Sequence, residues 1–95
     1  MDEIKSAIGS TVAIGAESIL VLAANADRMW FRITNDSSDK IYLSLGDPAI
    51  YNDGIPLEPK GGIFEMPCGE SLWKGAIYGI SRGKTKNACV CEGSE

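Results

Sequence analysis

The apolar residues of this chain come in short runs, and each run is closed by Gly, Pro, Asn, Asp or Ser. The longest, Ile19-Leu20-Val21-Leu22-Ala23-Ala24, is the length of a strand. That pattern narrows the architecture at once. Parallel βαβ units need crossover connections of about a dozen residues or more, usually helical, and no segment supplies one. A bilayer-spanning helix needs roughly 18–20 apolar residues in a row, and no run approaches that. Short strands joined by turns fit the whole sequence.

Within the runs, alternation sets the faces. From Arg28 to Asn35, Met29, Phe31 and Ile33 point one way and Trp30, Arg32 and Thr34 the other. From Lys40 to Leu45, Ile41, Leu43 and Leu45 point inward and Tyr42 and Ser44 outward. Asp36-Ser37-Ser38-Asp39 between them is a polar turn, so these two strands are expected to form a hairpin. Further strands are expected at Thr11 to Ile14, Ser18 to Ala23, Ile63 to Met66, Ser71 to Trp73, Ala76 to Ser81 and Asn87 to Glu92. Ile55 to Leu57, interrupted by Pro56 and followed by Pro59, reads as an edge piece. Phe31, Ile33, Ile41, Leu43, Leu45 and Val90 are the expected core.

Residues 1–10 show the one hint of helix, with Ile4, Ala7 and Ile8 at i, i+3, i+4 spacing. Ten residues cannot hold a helix alone in water, so this stretch reads as an N-terminal arm or a docked turn. Residues 11–95 then form a single domain. The expected fold is all-β: an antiparallel β-sandwich or a jelly-roll-like barrel, with a short N-terminal arm or helical turn.

The 95 residues suffice for one core. A net charge of -4 repels phosphate, so nucleic acid is not an expected partner. No membrane partner is expected either. Met1-Asp2-Glu3 is acidic where a secretory signal would be basic. Synthesis in a host cytoplasm without a signal peptide is expected. Three cysteines, an odd number, argue against a disulfide framework.

The chain has no histidine. It therefore lacks the commonest general base and the commonest metal ligand. The carboxylates are scattered without an evident pair. No catalytic residue, cofactor or metal is assigned, and the chain is read as a non-enzyme. Two motifs look chemical and have plainer explanations. Cys89-Val90-Cys91 places two thiols on one face of a strand, with Cα atoms roughly 6.6–6.8 Å apart. That is the upper limit for a disulfide, about 6.8 Å. A structural zinc site wants four ligands, and only Cys68 could be a third. All three thiols are expected to be reduced and metal-free. Gly83-Lys84-Thr85 imitates the end of a phosphate loop, but Tyr78 stands where the leading Gly would be, and a strand follows instead of a helix. It reads as a hairpin turn.

Trp30 and Tyr42 fall on the outward phase of their strands. Either other segments cover them, or they form a protein interface, where Trp and Tyr are enriched. Trp73, between turn residues, is a corner plug of the core or a contact residue.

The sequence also carries a resemblance. Leu22-Ala23-Ala24-Asn25 leads to Arg28. Ile33-Thr34-Asn35-Asp36-Ser37 is followed by Ile41-Tyr42-Leu43-Ser44-Leu45-Gly46. Gly54-Ile55-Pro56-Leu57, Gly61-Gly62 and Trp73-Lys74-Gly75-Ala76-Ile77-Tyr78-Gly79-Ile80 complete the pattern. From about Val12 to Gly93 the chain resembles small β-domains of tailed-phage and prophage virion proteins, of head-decoration or fibre-base type. Cys89 and Cys91 depart from the small hydroxyl residues expected on that strand. The resemblance implies a structural role: a capsid decoration (cement) protein bound to the shell as an oligomer, often a trimer. Its partners would be itself and a major capsid or other virion protein, and its location the virion. The candidate interface residues are Ile4, Ile8, Val12 and Ile14 of the arm, which could add to a neighbour's sheet edge, with Trp30, Tyr42 and Trp73. Two other functions stay open. One is a phage fibre or tail module that binds a carbohydrate or receptor through aromatics such as Trp30, Tyr51 or Trp73. The other is a cytoplasmic protein-binding inhibitor.

Overall fold

A computed structural model describes residues 6–67, 69, 71–83 and 86–94. They contain eight strands: β1 (Ser6–Ile14), β2 (Ile19–Leu22), β3 (Arg28–Asn35), β4 (Ile41–Leu45), β5 (Ile55–Leu57), β6 (Ile63–Met66), β7 (Ile77–Ile80) and β8 (Lys86–Ser94). These form two four-stranded antiparallel sheets, the first ordered β1-β8-β3-β6 and the second β2-β7-β4-β5. The sheets pack as a sandwich, and neither closes into a barrel. No helix occurs among the described residues.

The inward phases supply the core. Ile14, Val21, Phe31, Ile33, Ile41, Leu43, Leu57, Ile77, Ala88 and Val90 are buried together. Each large aliphatic or aromatic side chain so placed contributes about 1.5–3 kcal/mol relative to exposure. Five of the six expected core residues are in this cluster. Leu45, at the end of β4, only packs against its margin.

Over residues 6–10 the suggested helical turn is replaced by strand. Ala7 and Ile8 lie in β1, which pairs with β8 residue for residue, from Ser6 against Ser94 to Ile14 against Lys86. A long partner strand offers every amide of one edge a bond at once, which a lone helical turn cannot match. β1 runs unbroken across Ser10 and Thr11, so residues 6–10 belong to the first sheet. Ile4 lies outside the described residues.

The expected β3–β4 hairpin does not form. β3 lies in the first sheet and β4 in the second. The polar turn between them is a corner that carries the chain across the sandwich. Alternation places Phe31, Ile33, Ile41 and Leu43 inward as expected, while Met29 and Leu45 are only half-buried; Phe31 and Ile33 meet Ile41 and Leu43 from opposite sheets. β7 and β8, on either side of Gly83-Lys84-Thr85, likewise belong to different sheets and do not form a hairpin. Lys84 and Thr85 of that segment lie outside the described residues. Only β4 and β5 are consecutive in sequence and paired in space. Ser71 to Trp73 is not a strand; its Leu72 and Trp73 pack against the core from an irregular corner.

Candidate functional site

Both ends of β3 are closed by buried polar side chains. A register shift between Arg28 and Trp30 interrupts the alternation at Met29. It turns Arg28 inward, where it is fully buried. Its Nε donates to Glu92 Oε2 at 2.5 Å, its Nη1 to the Trp73 and Gly75 carbonyls at 2.9 and 3.1 Å, and its Nη2 to the Ala23 carbonyl at 2.6 Å. The guanidinium carbon also lies 5.4 Å from the centroid of the Phe31 ring. Asn25 sets up this corner. Its side chain accepts from the Asp27 amide, and its own amide donates to the Lys74 carbonyl.

At the other end Asn35 is also fully buried. Its Nδ2 donates to the Asp39 and Leu57 carbonyls at 2.7 and 3.0 Å, and its Oδ1 accepts from Ser37 Oγ at 2.6 Å. Its backbone exchanges bonds with Gly61 and Gly62. One side chain thereby fixes the β3–β4 corner, the end of β5 and the turn before β6. Among the described residues no buried side-chain nitrogen or oxygen lacks a partner.

The candidate interface residues scatter. Ile14 is wholly in the core and so is not free for a partner; Val12 is partly buried and packs against that core. Ile8 shares their phase but is 62% exposed. Trp30 is half-buried on the outer face of the first sheet, over Gly93 of β8. A Cβ on Gly93 would sit 2.0 Å from Trp30 Nε1, so only glycine fits there. Trp73 is a corner plug: its Nε1 donates to the Ala76 carbonyl, and its ring lies where a Cβ on Gly75 would be. Tyr42 is half-buried on the outer face of the second sheet. Its hydroxyl donates to Asn52 Oδ1 at 3.0 Å, and its ring meets that of Tyr51 edge-on at 5.1 Å.

Two outer surfaces carry polar chemistry. On the first sheet a shallow hollow of about 820 Å³ is lined by Arg32, Thr34, Asp36, Lys60, Cys89 and Cys91, among others. Arg32 is paired with Glu65 at 2.8 Å. The hydrogen bond that Arg32 Nε donates to Glu65, then the charge of Glu65, raises the Arg32 pKa. Both thiols face outward while Ala88 and Val90 face the core, as the strand phase requires. Cys89 Sγ lies 4.0 Å from Asp36 Oδ2. Cys68 lies outside the described residues. On the second sheet, Tyr42 and Tyr78 take outward positions on β4 and β7. Beside them a hollow of about 290 Å³ is lined by Ser44, Asp47, Pro48, Ile50, Asp53 and Gly54. Lys40, 3.4 Å from Glu58, has a raised pKa, chiefly from that hydrogen bond. No group of three metal-ligating side chains occurs among the described residues.

Sequence reasoning missed Arg28 and Asn35. Asn35 had a signal, since it continues the inward series Phe31, Ile33. Arg28 had none, because the bulge that turns it inward leaves no mark in the alternation. The exposed apolar residues Ile19, Leu20, Ile50 and Ile63 were also missed. No protein-family model matches the chain, and neither a curated protein nor a solved structure is significantly similar to it.

Proposed function

We propose that the chain is a non-enzymatic structural component of a phage virion, a decoration module that binds a larger protein shell as an oligomer. One observation carries the reading. The residues that give the sequence its character, Arg28, Asn35 and Trp73, have their polar groups bonded within the chain. What the molecule offers outward is surface: a nine-residue sheet edge at β1 and the exposed side chains of Ile8, Ile19, Leu20, Ile50 and Ile63. Such surfaces join proteins, through backbone pairing and apolar burial. Many weak copies on one shell hold by avidity. The partners are further copies of the chain and a major capsid or other virion protein. The test is to purify particles from the phage or prophage that encodes the chain, with the gene intact and deleted. Many copies per particle, and shells that break at lower temperature without it, are expected. Particles free of the chain would refute the reading.

The second reading, a fibre or tail module that binds carbohydrate, is favoured by a specific feature. Tyr42 and Tyr51 meet edge to face next to a loop bearing Asp47, Asn52 and Asp53. Aromatic rings beside carboxylates and amides suit sugar hydroxyls. Saturation-transfer NMR with neutral oligosaccharides would show contacts at these tyrosines if this reading holds, and none if the module only joins proteins.

A further inference from the structure

Four strands have an open side: β1 and β6 in the first sheet, β2 and β5 in the second. Open edges invite pairing with other chains, and proteins blunt them with short length, charge, proline or bulges. Three of the four are blunted. β5 has three residues and carries Pro56. β6 has four and carries Glu65. β2 has four, with a register shift between Leu20 and Leu22. β1 has none of these devices. Its nine residues, Ser-Ala-Ile-Gly-Ser-Thr-Val-Ala-Ile, include no charge and no proline, and its pairing with β8 runs without a shift.

We infer that β1 is a self-association edge: two copies pair β1 with β1, antiparallel about Ser10, and join their two four-stranded first sheets into one continuous sheet. Antiparallel geometry sends the amide groups of every second β1 residue away from β8, and these are the groups that a second copy satisfies. A two-fold axis at Ser10 uses the strand's full length and sets Ile8 opposite Val12 of the partner copy. Ile8 is the large apolar side chain that the strand leaves exposed. In the pair it lies beside the half of β1 that the partner's second sheet does cover. β2, at the edge of the second sheet, touches β1 along the same margin. The occupant is a second copy because the strand is self-complementary about Ser10: it meets an edge of the same nine-residue length that is likewise uncharged, and Ile8 of each copy meets Val12 of the other. The pairing deepens the oligomer reading above and rests on it only for the need to assemble. It replaces the trimer implied by resemblance with an isologous pair, which closes at two copies.

The test is sedimentation equilibrium of the full chain over a wide concentration range, with hydrogen exchange of the β1 amides measured at both extremes. A monomer–dimer equilibrium is expected, with exchange at residues 8–14 slowing as concentration rises. Ile8→Lys should weaken the dimer by roughly tenfold or more and leave the circular dichroism of the monomer unchanged, since Ile8 is exposed there. Ile8→Val should keep the dimer. Ile63→Lys, on the opposite edge, should have no effect. A monomer at every concentration, a trimer, or a dimer indifferent to Ile8→Lys would each overturn the inference. A chain monomeric in solution but present on particles would sink the pairing and leave the virion reading intact.

Discussion

At the start of β3 a buried guanidinium gathers three carbonyls and a carboxylate; at its end a buried carboxamide gathers two carbonyls and a hydroxyl. Both side chains do one job. They satisfy the backbone groups of an irregular corner where the chain leaves one sheet for the other. The chemistry differs because the corners differ. The Arg28 corner draws in segments from Ala23, Trp73 and Gly75, too far apart for a short side chain, and it needs Glu92 to balance the charge. The Asn35 corner is tighter, and a neutral amide reaches everything. A charged knot is strong when complete and costly when broken, because its partner charge stays buried. A neutral knot fails more gently.

That difference can be broken by substitution. Arg28→Met keeps the bulk but leaves Glu92, whose side chain is 14% exposed, without its cation. The expected loss is about 3–5 kcal/mol in a urea titration. A loss under about 1 kcal/mol would mean that packing, and not the guanidinium, holds the corner. Asn35→Ala should cost about 1–3 kcal/mol, since the Asp39 and Leu57 carbonyls lose their donor. If it equals or exceeds the arginine change, the contrast between the corners is wrong.

Two smaller changes sharpen it. Gly93→Ala places a methyl group into the Trp30 ring next to the arginine corner, with an expected cost of about 1–3 kcal/mol. Trp30→Ala in the same chain should recover part of that loss, a coupling that a double-mutant cycle reads directly. Ser37→Ala removes one hydroxyl from the asparagine corner and should cost only about 0.5–1.5 kcal/mol by thermal melting.

The strands and their inward phases were legible from alternation, because burial acts residue by residue. Phe31, Ile33, Ile41, Leu43 and Val90 are buried as that pattern requires. Strand pairing was not legible. Phe31 would be equally well buried opposite a hairpin partner or under the other sheet, and the sequence between β3 and β4 suits either. The asparagine corner was half legible, since Asn35 breaks an apolar series on its inward phase. The arginine corner was illegible, because its partners are main-chain carbonyls scattered over the chain, and any residue type supplies those. Among the interface candidates, Ile14 and Trp73 proved to be packing residues for the same reason. An apolar side chain does not declare whether its cover comes from its own fold or from a partner.

The position of β8 has a consequence for how the chain reaches this state. It lies between β1 and β3, pairing with both. As the polypeptide leaves the ribosome, the first strand must wait for residues 86–94 before it finds its neighbour in the first sheet, and the third, which can pair earlier with β6, lacks its second neighbour until then. Only the β4–β5 pair can close locally. Most of the native pairing therefore joins distant parts of the sequence, and loop-closure entropy must be overcome before those contacts stabilise anything. Until β8 arrives, the nascent chain holds β1 with both sides open, uncharged along its length. Those seconds, more than the finished sandwich, are when it is most exposed to pairing with the wrong neighbour.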